Sequence, residues 1–336
     1  MTTIDLKLTA KDFKSDQEVR WCPGCGDYVV LNAMQSFLPT LGLKPENIVF
    51  ISGIGCSSRF PYYMNTYGMH SIHGRAPAIA TGLAITRPDL SIWVITGDGD
   101  ALSIGGNHLI HALRRNVNLN ILLFNNRIYG LTKGQYSPTS ETGKHTKSTP
   151  MGSIDHPFNP LSLALGADAT FIARTLDNDR TQLTTILSAA AQHRGTALIE
   201  IYQNCPIFND GAFDPLKQPD HKDQHLIPLT HGQPITFGTH GEHAVIRTNH
   251  GLKVTNTADV DPTHIVTHDT TTPDPTYAFA LSRLSTQNLD HVVTGIYRNT
   301  TRPTYDDQTR TQTTTATHTT TPNLQTLLNG HDTWTV

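Results

Sequence analysis

The stretch IWVITGDGDALSIGGNHLIHALRRNVNLNILLFNN, residues 92–126, carries the pattern that predicts the fold. Two short apolar runs, at residues 92–96 and 120–124, have the length and composition of strands that are buried on both faces. The segment between them predicts a helix over residues 101–115. A strand, a helix and a second strand in this order are typical of a parallel sheet covered by helices.

The same alternation continues in both directions and predicts further elements of this sheet. Upstream, these are a helix over residues 27–39 capped by Asp27, a strand over 48–51 and a helix over 76–85. Downstream, they are a helix after Asn159-Pro160, a strand near Phe171, a helix over 183–191 and a strand over 197–202. The sequence therefore predicts an α/β protein with a parallel sheet.

The region that follows residue 210 has a different pattern. Short apolar runs between residues 226 and 299, with one helix near 277–284, predict a small β-rich accessory region. The Thr-rich segment 309–321 is of low complexity and predicts a flexible tether, whereas the apolar tail 324–336 is expected to dock. The predicted organisation is an N-terminal arm at 1–18, a main domain at 19–210, an accessory region at 211–300 and a tether with tail at 301–336.

Composition limits the classes of partner that this chain can have. A net charge of -3 and a pI near 6.6 give no basic signature, so we do not expect nucleic acid as a partner. Charged residues make up 16%, which indicates a surface that packs against another subunit, although abundant Thr and His also lower this figure. The N-terminus lacks the apolar segment of a signal peptide, and no apolar run is long enough to span a bilayer. We therefore expect a cytoplasmic protein.

The opening stretch contains a Gly-Asp-Gly turn at residues 97–99 and an Asn-Asn pair at 125–126, each directly after a predicted strand. Carboxylate and amide oxygens bind divalent cations, glycines admit a diphosphate close to the backbone, and a helix N-terminus attracts phosphate. Two unrelated turns would contain the same residues, but their shared position at one sheet edge favours a metal–diphosphate site. The spacing resembles the thiamine-diphosphate motif, which implies Asp98, Asn126 and the backbone oxygen of Ile128 as Mg²⁺ ligands.

The four cysteines form a second group of candidate ligands: Cys22, Cys25, Cys56 and Cys205. The first two form a Cys-x-x-Cys turn, and the others follow predicted strands, so we expect them near the diphosphate site. Four thiolates can hold a structural zinc or a [4Fe–4S] cluster, and the spacing alone favours zinc. Beside thiamine diphosphate the cluster is favoured, because decarboxylation of a 2-oxo acid there yields a strong reductant and zinc has no redox chemistry.

Four segments together resemble the β subunit of 2-oxoacid:ferredoxin oxidoreductases, most closely the 2-oxoglutarate type, over residues 19–300. They are WCPGCG (21–26), GIGCSSRFPYYMNTYGMHSIHGRAPAIATG (53–82), GDGDALSIGGNHLIHALRRN (97–116) and NNRIYGLTKGQYSPTS (125–140). The resemblance implies a heteromeric enzyme that converts 2-oxoglutarate and coenzyme A to succinyl-CoA and CO₂. It also implies that a [4Fe–4S] cluster passes the electrons to ferredoxin.

The resemblance also implies roles for individual residues. The four cysteines would be the cluster ligands. The implied cofactor contacts are Ile54, Gly55, Cys56, Ser57, His73, Gly74, Arg75, Gly97, Gly99, Asp100, Gly130 and Leu131. His73 would serve proton transfer, although the chain has 18 His and any one of them is more often structural. Arg59 would pair with the distal carboxylate of the substrate or only fix its loop, and Leu131 would shape the substrate pocket.

One residue that thiamine enzymes need is missing from the pattern. No Glu stands where it could activate the aminopyrimidine ring, and the resemblance implies that a partner α subunit supplies it. The active site would then lie at the interface of an αβ or (αβ)₂ assembly. The alternatives are a pyruvate-specific enzyme of the same family, a non-oxidative thiamine-dependent decarboxylase, or a zinc-stabilised subunit without redox function.

Overall fold

The structure, a computed structural model, describes residues 7–319 and 323–334. The strands are β1 Ile48–Ser52, β2 Tyr67–His70, β3 Ser91–Gly97, β4 Leu119–Asn125, β5 Phe171–Leu176, β6 Thr196–Tyr202, β7 Leu226–Pro228, β8 Thr236–Phe237, β9 His243–Thr248, β10 Gly251–Asn256 and β11 Val292–Asn299. The helices are α1 Asp27–Phe37, α2 Ala76–Thr86, α3 Asp98–Leu102, α4 Gly106–Arg115, α5 Pro160–Gly166, α6 Arg180–Gln192, α7 Lys222–His225, α8 Thr276–Leu284, α9 Tyr305–Thr319 and α10 Leu324–Asn329.

Eight strands within the described residues form the central sheet, in the order β2-β1-β3-β4-β6-β5-β11-β7. All neighbouring pairs are parallel except β11 with β5, which is antiparallel. Side chains of α2, α4, α5 and α8 cover one face of the sheet, and those of α1 and α6 cover the other. The central strands are buried on both faces, which is why they are almost continuously apolar in the sequence. The predicted α/β class with a parallel sheet is confirmed.

Three predicted boundaries were wrong. The helix predicted over 101–115 is two helices, α3 and α4, separated at residues 103–105, where a side chain on Gly105 would collide with the carbonyl of Asp100. Helix α1 ends at Phe37 rather than residue 39, and a 3₁₀ turn over Leu38–Leu41 follows it. Gly26 is the cap of α1, whereas Asp27 is its first residue and is buried in the protein.

The accessory region contributes to two sheets. Strands β8, β9 and β10 form a separate antiparallel sheet, which confirms the predicted small β-rich part. Strands β7 and β11, although they follow residue 210, extend the central sheet. The division of the chain into domains at residue 210 stays a prediction.

The Thr-rich segment is helical where the structure describes it, so the prediction of a flexible tether was wrong. Helix α9 is held to the main domain by Arg310, which donates to the carbonyl of Ala84 (2.8 Å), and by an ion pair between Arg194 and Asp307 (2.5 Å). Its threonine hydroxyls bond to carbonyls four residues earlier, as in Thr313 to Thr309 (3.0 Å), so these polar groups are satisfied within the helix. One tertiary ion pair and the hydrogen bond to Ala84 here offset the low helix propensity of threonine.

The tail was expected to dock, but its described part is not buried against this chain. Leu324, Leu327, Leu328 and Trp334 of the tail are all exposed. The last part of the Thr-rich segment (320–321) and the final residues 335–336 lie outside the described residues. In the part of the chain that the structure describes, no helix combines the length and the apolar character needed to cross a membrane.

We expect Asp307→Asn to lower the free energy of unfolding by about 1 kcal/mol at neutral pH, since the exposed network around it is screened by solvent. Hydrogen bonds from Arg194, and then from Thr304 and Arg310, hold the pKa of Asp307 at about 2, below its ordinary 3.8. A lowered pKa contributes stability that is present above the unfolded-state value and is lost as the pH falls through the folded-state value. The difference in unfolding free energy between Asp307→Asn and wild type should therefore shrink below about pH 4.

Urea denaturation of both proteins across this pH range measures the effect. Asp89→Asn is the control, because Asp89 pairs only with its neighbour Arg87 and joins no separate elements. The expectation would be contradicted if Asp307→Asn lowered the free energy of unfolding no more than Asp89→Asn does. It would also be contradicted if the loss of unfolding free energy in Asp307→Asn grew towards low pH.

Candidate functional site

A cleft lies at the carboxyl ends of β1, β3 and β4, where the loops after these strands meet. The predicted site residues that line it are Ile54, Gly55, Cys56, Ser57, His73, Gly97, Asp98, Gly99, Asp100, Asn126, Ile128, Gly130 and Leu131. Phe124, Tyr129 and Thr132 line it as well. Six predicted residues lie outside its lining: Arg59, Gly74, Arg75 and the three cysteines Cys22, Cys25 and Cys205.

Asp98 is buried at the base of the cleft. Its Oδ2 accepts hydrogen bonds from the hydroxyls of Ser137 (2.6 Å) and Thr139 (2.5 Å). Burial raises the pKa of the Asp98 carboxyl above its ordinary value, because a buried carboxylate without a cation loses hydration. A divalent cation at this position would offset that cost. Asp98 therefore has the environment of a carboxylate placed to meet a positive charge.

Asn126 and Ile128 meet the same cleft from one tight turn. The Asn126 Oδ1 accepts from the Ile128 amide (3.2 Å), and its Nδ2 donates to Gln203 Oε1 (3.0 Å). Arg127, between them, has a left-handed backbone with φ of 56°, which costs energy for a residue with a side chain. This turn brings the two expected oxygen donors, Asn126 and Ile128, into the same lining as Asp98.

The expected magnesium ligands include only one carboxylate, so most of the oxygens would come from an amide, a carbonyl and the diphosphate. No group of three His, Cys, Asp or Glu side chains that could hold a metal ion occurs in the described ranges 7–319 and 323–334. The donors that do meet here are oxygens, which suits a hard cation shared with a phosphate ligand.

Gly99 allows an aromatic ring to pack directly on the backbone of the Gly-Asp-Gly turn at residues 97–99. A Cβ on Gly99 would lie 2.1 Å from the ring of Tyr129, which is impossible without rearrangement. The Tyr129 hydroxyl donates to the Gly99 carbonyl (3.1 Å), so the ring and the turn hold each other. The glycine is therefore required for this close packing.

Asp100 joins three parts of the site. Its Oδ1 accepts from the amides of Ile54 (3.0 Å) and Gly74 (2.7 Å), and its Oδ2 accepts from the Thr96 hydroxyl (2.6 Å). His73 Nδ1 also lies 2.5 Å from Oδ1. Its oxygens are thus engaged by protein groups, and Asp100 positions the loops around the cleft. Because Nδ1 is engaged, the other ring nitrogen of His73 is the one available for proton transfer.

The loops that carry the four cysteines meet beside this cleft. Cys22 and Cys25 are joined by a turn in which the Cys25 amide donates to the Cys22 carbonyl (3.1 Å). A Cβ on Gly130 would lie 3.6 Å from the Cys56 sulfur and 3.5 Å from the Cys205 sulfur. Gly130 also lines the cleft, so two of the thiols lie close to the expected cofactor site. All four cysteines are free, as expected.

Hydrogen bonds fix the cysteine loops to each other. The Trp21 indole donates to the Cys56 carbonyl (2.7 Å), and the Gly26 amide donates to the Asn204 carbonyl, next to Cys205 (3.2 Å). Burial, the Asp27 carboxylate and the neighbouring thiols raise the pKa of Cys56 to about 12, so a positively charged metal is needed to hold it as a thiolate at neutral pH. Each thiolate of an iron–sulfur cluster binds a different iron, so such a set is spaced more widely than the ligands of one ion. Four free thiols on neighbouring loops are the type of donor that a cluster uses.

Several residues of the site were missed by the sequence analysis. Ser137 and Thr139, which bond to Asp98, lie about forty positions further along the chain, where their spacing to Asp98 gives no signal. Gln203, which bonds to Asn126 and donates to the Cys25 sulfur (3.2 Å), was missed for the same reason. Alternating hydroxyls in the segment SPTS were the only available sign.

Apart from the cysteines, three predicted residues outside the cleft lining have other surroundings. Gly74 is buried and contributes only its amide, to Asp100. Arg75 is exposed and its guanidinium contacts the ring of His108. Arg59 is half-buried close to Cys56, whose pKa its charge lowers slightly against the larger effect of burial.

The chain is similar to known proteins over nearly its whole length. Residues 53–201 match the family described as thiamine pyrophosphate enzyme, C-terminal TPP binding domain; thiamine pyrophosphate and thiamine diphosphate are the same compound. The chain is 68% identical over 337 residues to the 2-oxoglutarate oxidoreductase subunit KorB of Mycobacterium tuberculosis, covering 99% of this chain and 90% of that one. It is 42% identical over 199 residues to the 2-oxoglutarate synthase subunit KorB of Methanocaldococcus jannaschii, covering 59% of this chain and 73% of that one.

A solved structure shows the same similarity in three dimensions. It is the 2-oxoglutarate:ferredoxin oxidoreductase from Magnetococcus marinus with 2-oxoglutarate, coenzyme A and succinyl-CoA bound. It matches with a TM-score of 0.77 and 32% sequence identity, covering 98% of this chain and 97% of that one. The thiamine-binding cleft, the sequence relatives and this structure agree, and the chain belongs to the family of β subunits of 2-oxoglutarate:ferredoxin oxidoreductases.

Proposed function

We propose that this chain holds thiamine diphosphate, Mg²⁺ and a [4Fe–4S] cluster within a 2-oxoglutarate:ferredoxin oxidoreductase. The reaction is the oxidative decarboxylation of 2-oxoglutarate with coenzyme A to succinyl-CoA and CO₂, with electrons passed to ferredoxin. The observation that carries this proposal is the position of Gly130, which lines the thiamine cleft together with Cys56 and where an added Cβ would meet the sulfurs of Cys56 and Cys205. Electron transfer between two groups needs such proximity, and a non-oxidative thiamine enzyme has no use for it.

The residues divide into two sets of ligands. Asp98, Asn126 and the carbonyl of Ile128 would hold Mg²⁺, and Gly99 leaves room for the diphosphate. The cluster would be held by Cys22, Cys25, Cys56 and Cys205. When bound, thiamine diphosphate supplies stabilisation of carbanion charge and the cluster supplies a one-electron acceptor.

His73 and Asp100 form a hydrogen-bonded pair at the wall of the cleft (2.5 Å). Asp100 is almost completely buried, whereas the imidazole is partly exposed to the cleft. The carboxylate fixes the orientation of the ring and leaves its second nitrogen facing substrate or product. We therefore assign His73 a role in holding or moving a proton and Asp100 the role of positioning it.

Arg59 and Leu131 are the substrate candidates from this chain. Leu131 is 45% exposed at the edge of the cleft and offers an apolar wall. Arg59 lies near Cys56 but outside the cleft lining, so its pairing with the distal carboxylate of 2-oxoglutarate depends on how the assembled enzyme closes over the site. A fixed loop contact is its alternative role, and a preference for pyruvate is the alternative specificity.

A partner α subunit completes the site. No Glu lines the cleft among the described residues, so the group that activates the aminopyrimidine ring would come from the α subunit. The exposed apolar side chains near the cleft, including Ile54, Ile72 and Ile104, provide surface for such a partner. This chain alone should bind the cofactors but not turn over substrate.

The test is an anaerobic purification of the chain alone and of the chain with its α subunit. We expect brown protein with equal amounts of iron and sulfide in both preparations, and 2-oxoglutarate-dependent reduction of a redox dye only in the complex. Colourless protein with stoichiometric zinc would overturn the cluster assignment. Robust dye reduction by the chain alone would overturn the shared active site, and faster turnover of pyruvate would overturn the assigned substrate.

A further inference from the structure

A second cavity lies next to the metal-binding turn and takes no part in the proposed reaction. Its lining includes Asn125, Arg127, Arg174, Glu200, Tyr202 and Arg283, together with exposed residues around its mouth. Three arginines against one glutamate give these residues a formal charge of +2. We propose that this cavity is a binding site for a small oxyanion with two negative charges, of the dicarboxylate or phosphate class.

The single carboxylate of the cavity is already fully used by the protein. Glu200 is completely buried, its Oε1 accepts from Asn125 Nδ2 (2.7 Å), and its Oε2 accepts from Arg174 Nε (2.7 Å). It forms an ion pair with Arg174 and leaves the other two guanidinium groups without a counter-ion inside the cavity. A bound anion would supply the missing negative charge.

Arg127 is the strongest sign of a ligand. Arg127 is only 8% exposed. No carboxylate of the described residues lies within ion-pair distance of its guanidinium group. The guanidinium donates to two neutral partners, the Gln287 carbonyl (3.0 Å) and Tyr202, and the Glu141 carboxylate interacts with it only from beyond ion-pair distance. A buried cation without an anion is costly, and proteins retain one where it meets a charged ligand or performs a function.

The guanidinium groups are held in place by packing and hydrogen bonds. The centre of the Arg174 guanidinium lies 5.0 Å from the centroid of the Tyr202 ring and that of Arg127 lies 5.9 Å from it. Arg174 Nη1 donates to the hydroxyls of Ser285 (2.8 Å) and Tyr297 (3.1 Å). Planar guanidinium groups fixed in this way match the paired oxygens of carboxylates and phosphates.

The cavity shares its framework with the metal site. Thr139 Oγ1 lies 2.5 Å from Asp98 Oδ2 and 2.9 Å from Asn125 Oδ1, and the Asn125 amide in turn donates to Glu200. The left-handed turn that presents Asn126 to the cleft places Arg127 in the lining of the second cavity. The inference rests on the lining of this cavity and does not depend on the proposed reaction.

The experiment is calorimetric titration of the full-length chain with inorganic phosphate and, separately, with succinate. Thiamine diphosphate and Mg²⁺ are present to occupy the first cleft, and sodium chloride keeps the ionic strength constant. We expect saturable binding of at least one probe, weakened about tenfold or more by Arg127→Gln, since a charged hydrogen bond is lost. The probe that binds more tightly distinguishes the carboxylate source from the phosphate source.

Arg283→Gln is the second variant, because Arg283 is exposed on α8 and its replacement leaves the core intact. It lines only the second cavity, so weaker binding in this variant cannot come from phosphate in the thiamine cleft. Arg87→Gln is the control, since Arg87 is exposed and pairs with Asp89 away from both cavities. Absence of binding by both probes, or equal weakening in all three variants, would overturn the proposal.

Discussion

Replacing Asp98 by Ala is expected to weaken Mg²⁺-dependent binding of thiamine diphosphate by about 100-fold or more and to abolish turnover of the assembled enzyme. Asp98 is the only carboxylate in the expected magnesium set, and it is buried where a cation would offset the cost of its charge. Titration of the purified chain with thiamine diphosphate, with and without a chelator, measures the effect.

Asp98→Asn separates charge from shape in this experiment. The amide keeps the volume and can still accept hydrogen bonds from Ser137 and Thr139, so it should fold normally but bind the cofactor almost as poorly as Asp98→Ala. Asp89→Asn, an exposed carboxylate just before β3, serves as the control and should bind like wild type. If Asp98→Asn retained wild-type affinity, or if the chelator had no effect on wild type, the magnesium assignment would be wrong.

The parallel sheet was predictable because its central strands are buried on both faces. Burial on both sides requires nearly continuous apolar sequence, and the strands around Trp93 and Leu122 have it. The edge strand β2, with the sequence YGMH, was missed because all four of its residues are exposed. Its strand conformation comes from pairing with β1, which a local pattern does not reveal.

The candidate site was predictable where its residues follow strand ends. Asp98, Asn126 and Cys205 lie within three residues of a strand end, so parallel topology alone brings them to one edge of the sheet. The contacts of Ser137, Thr139 and the second cavity were not predictable, because they depend on long loops and on residues from distant elements. Arg174 and Arg283 meet only after the antiparallel strand β11 and helix α8 have packed against the sheet.

The prediction that distinguishes the redox function from its alternatives concerns Cys25. We expect Cys25→Ser to lower dye reduction by the αβ complex by about 100-fold or more and to remove most of the visible absorbance of the cluster. Serine is close to cysteine in size, but its hydroxyl is a poor substitute for a thiolate at iron. Cys25 is outside the lining of the thiamine cleft, so thiamine diphosphate binding should stay near wild type.

Cys22→Ser should give the same pattern. Because Cys22 is exposed whereas Cys25 is half-buried, the same result from both variants excludes a packing defect as the cause. The combination of lost absorbance, lost electron transfer and retained cofactor binding follows only if the thiols hold an electron acceptor beside the thiamine cleft. A structural zinc would make both variants unstable and leave no visible band to lose. If the four thiols held no metal, the substitutions would leave electron transfer unchanged. Unstable variants without a visible band, or variants with unchanged electron transfer, would each contradict the assignment of the Cys-x-x-Cys turn to the cluster.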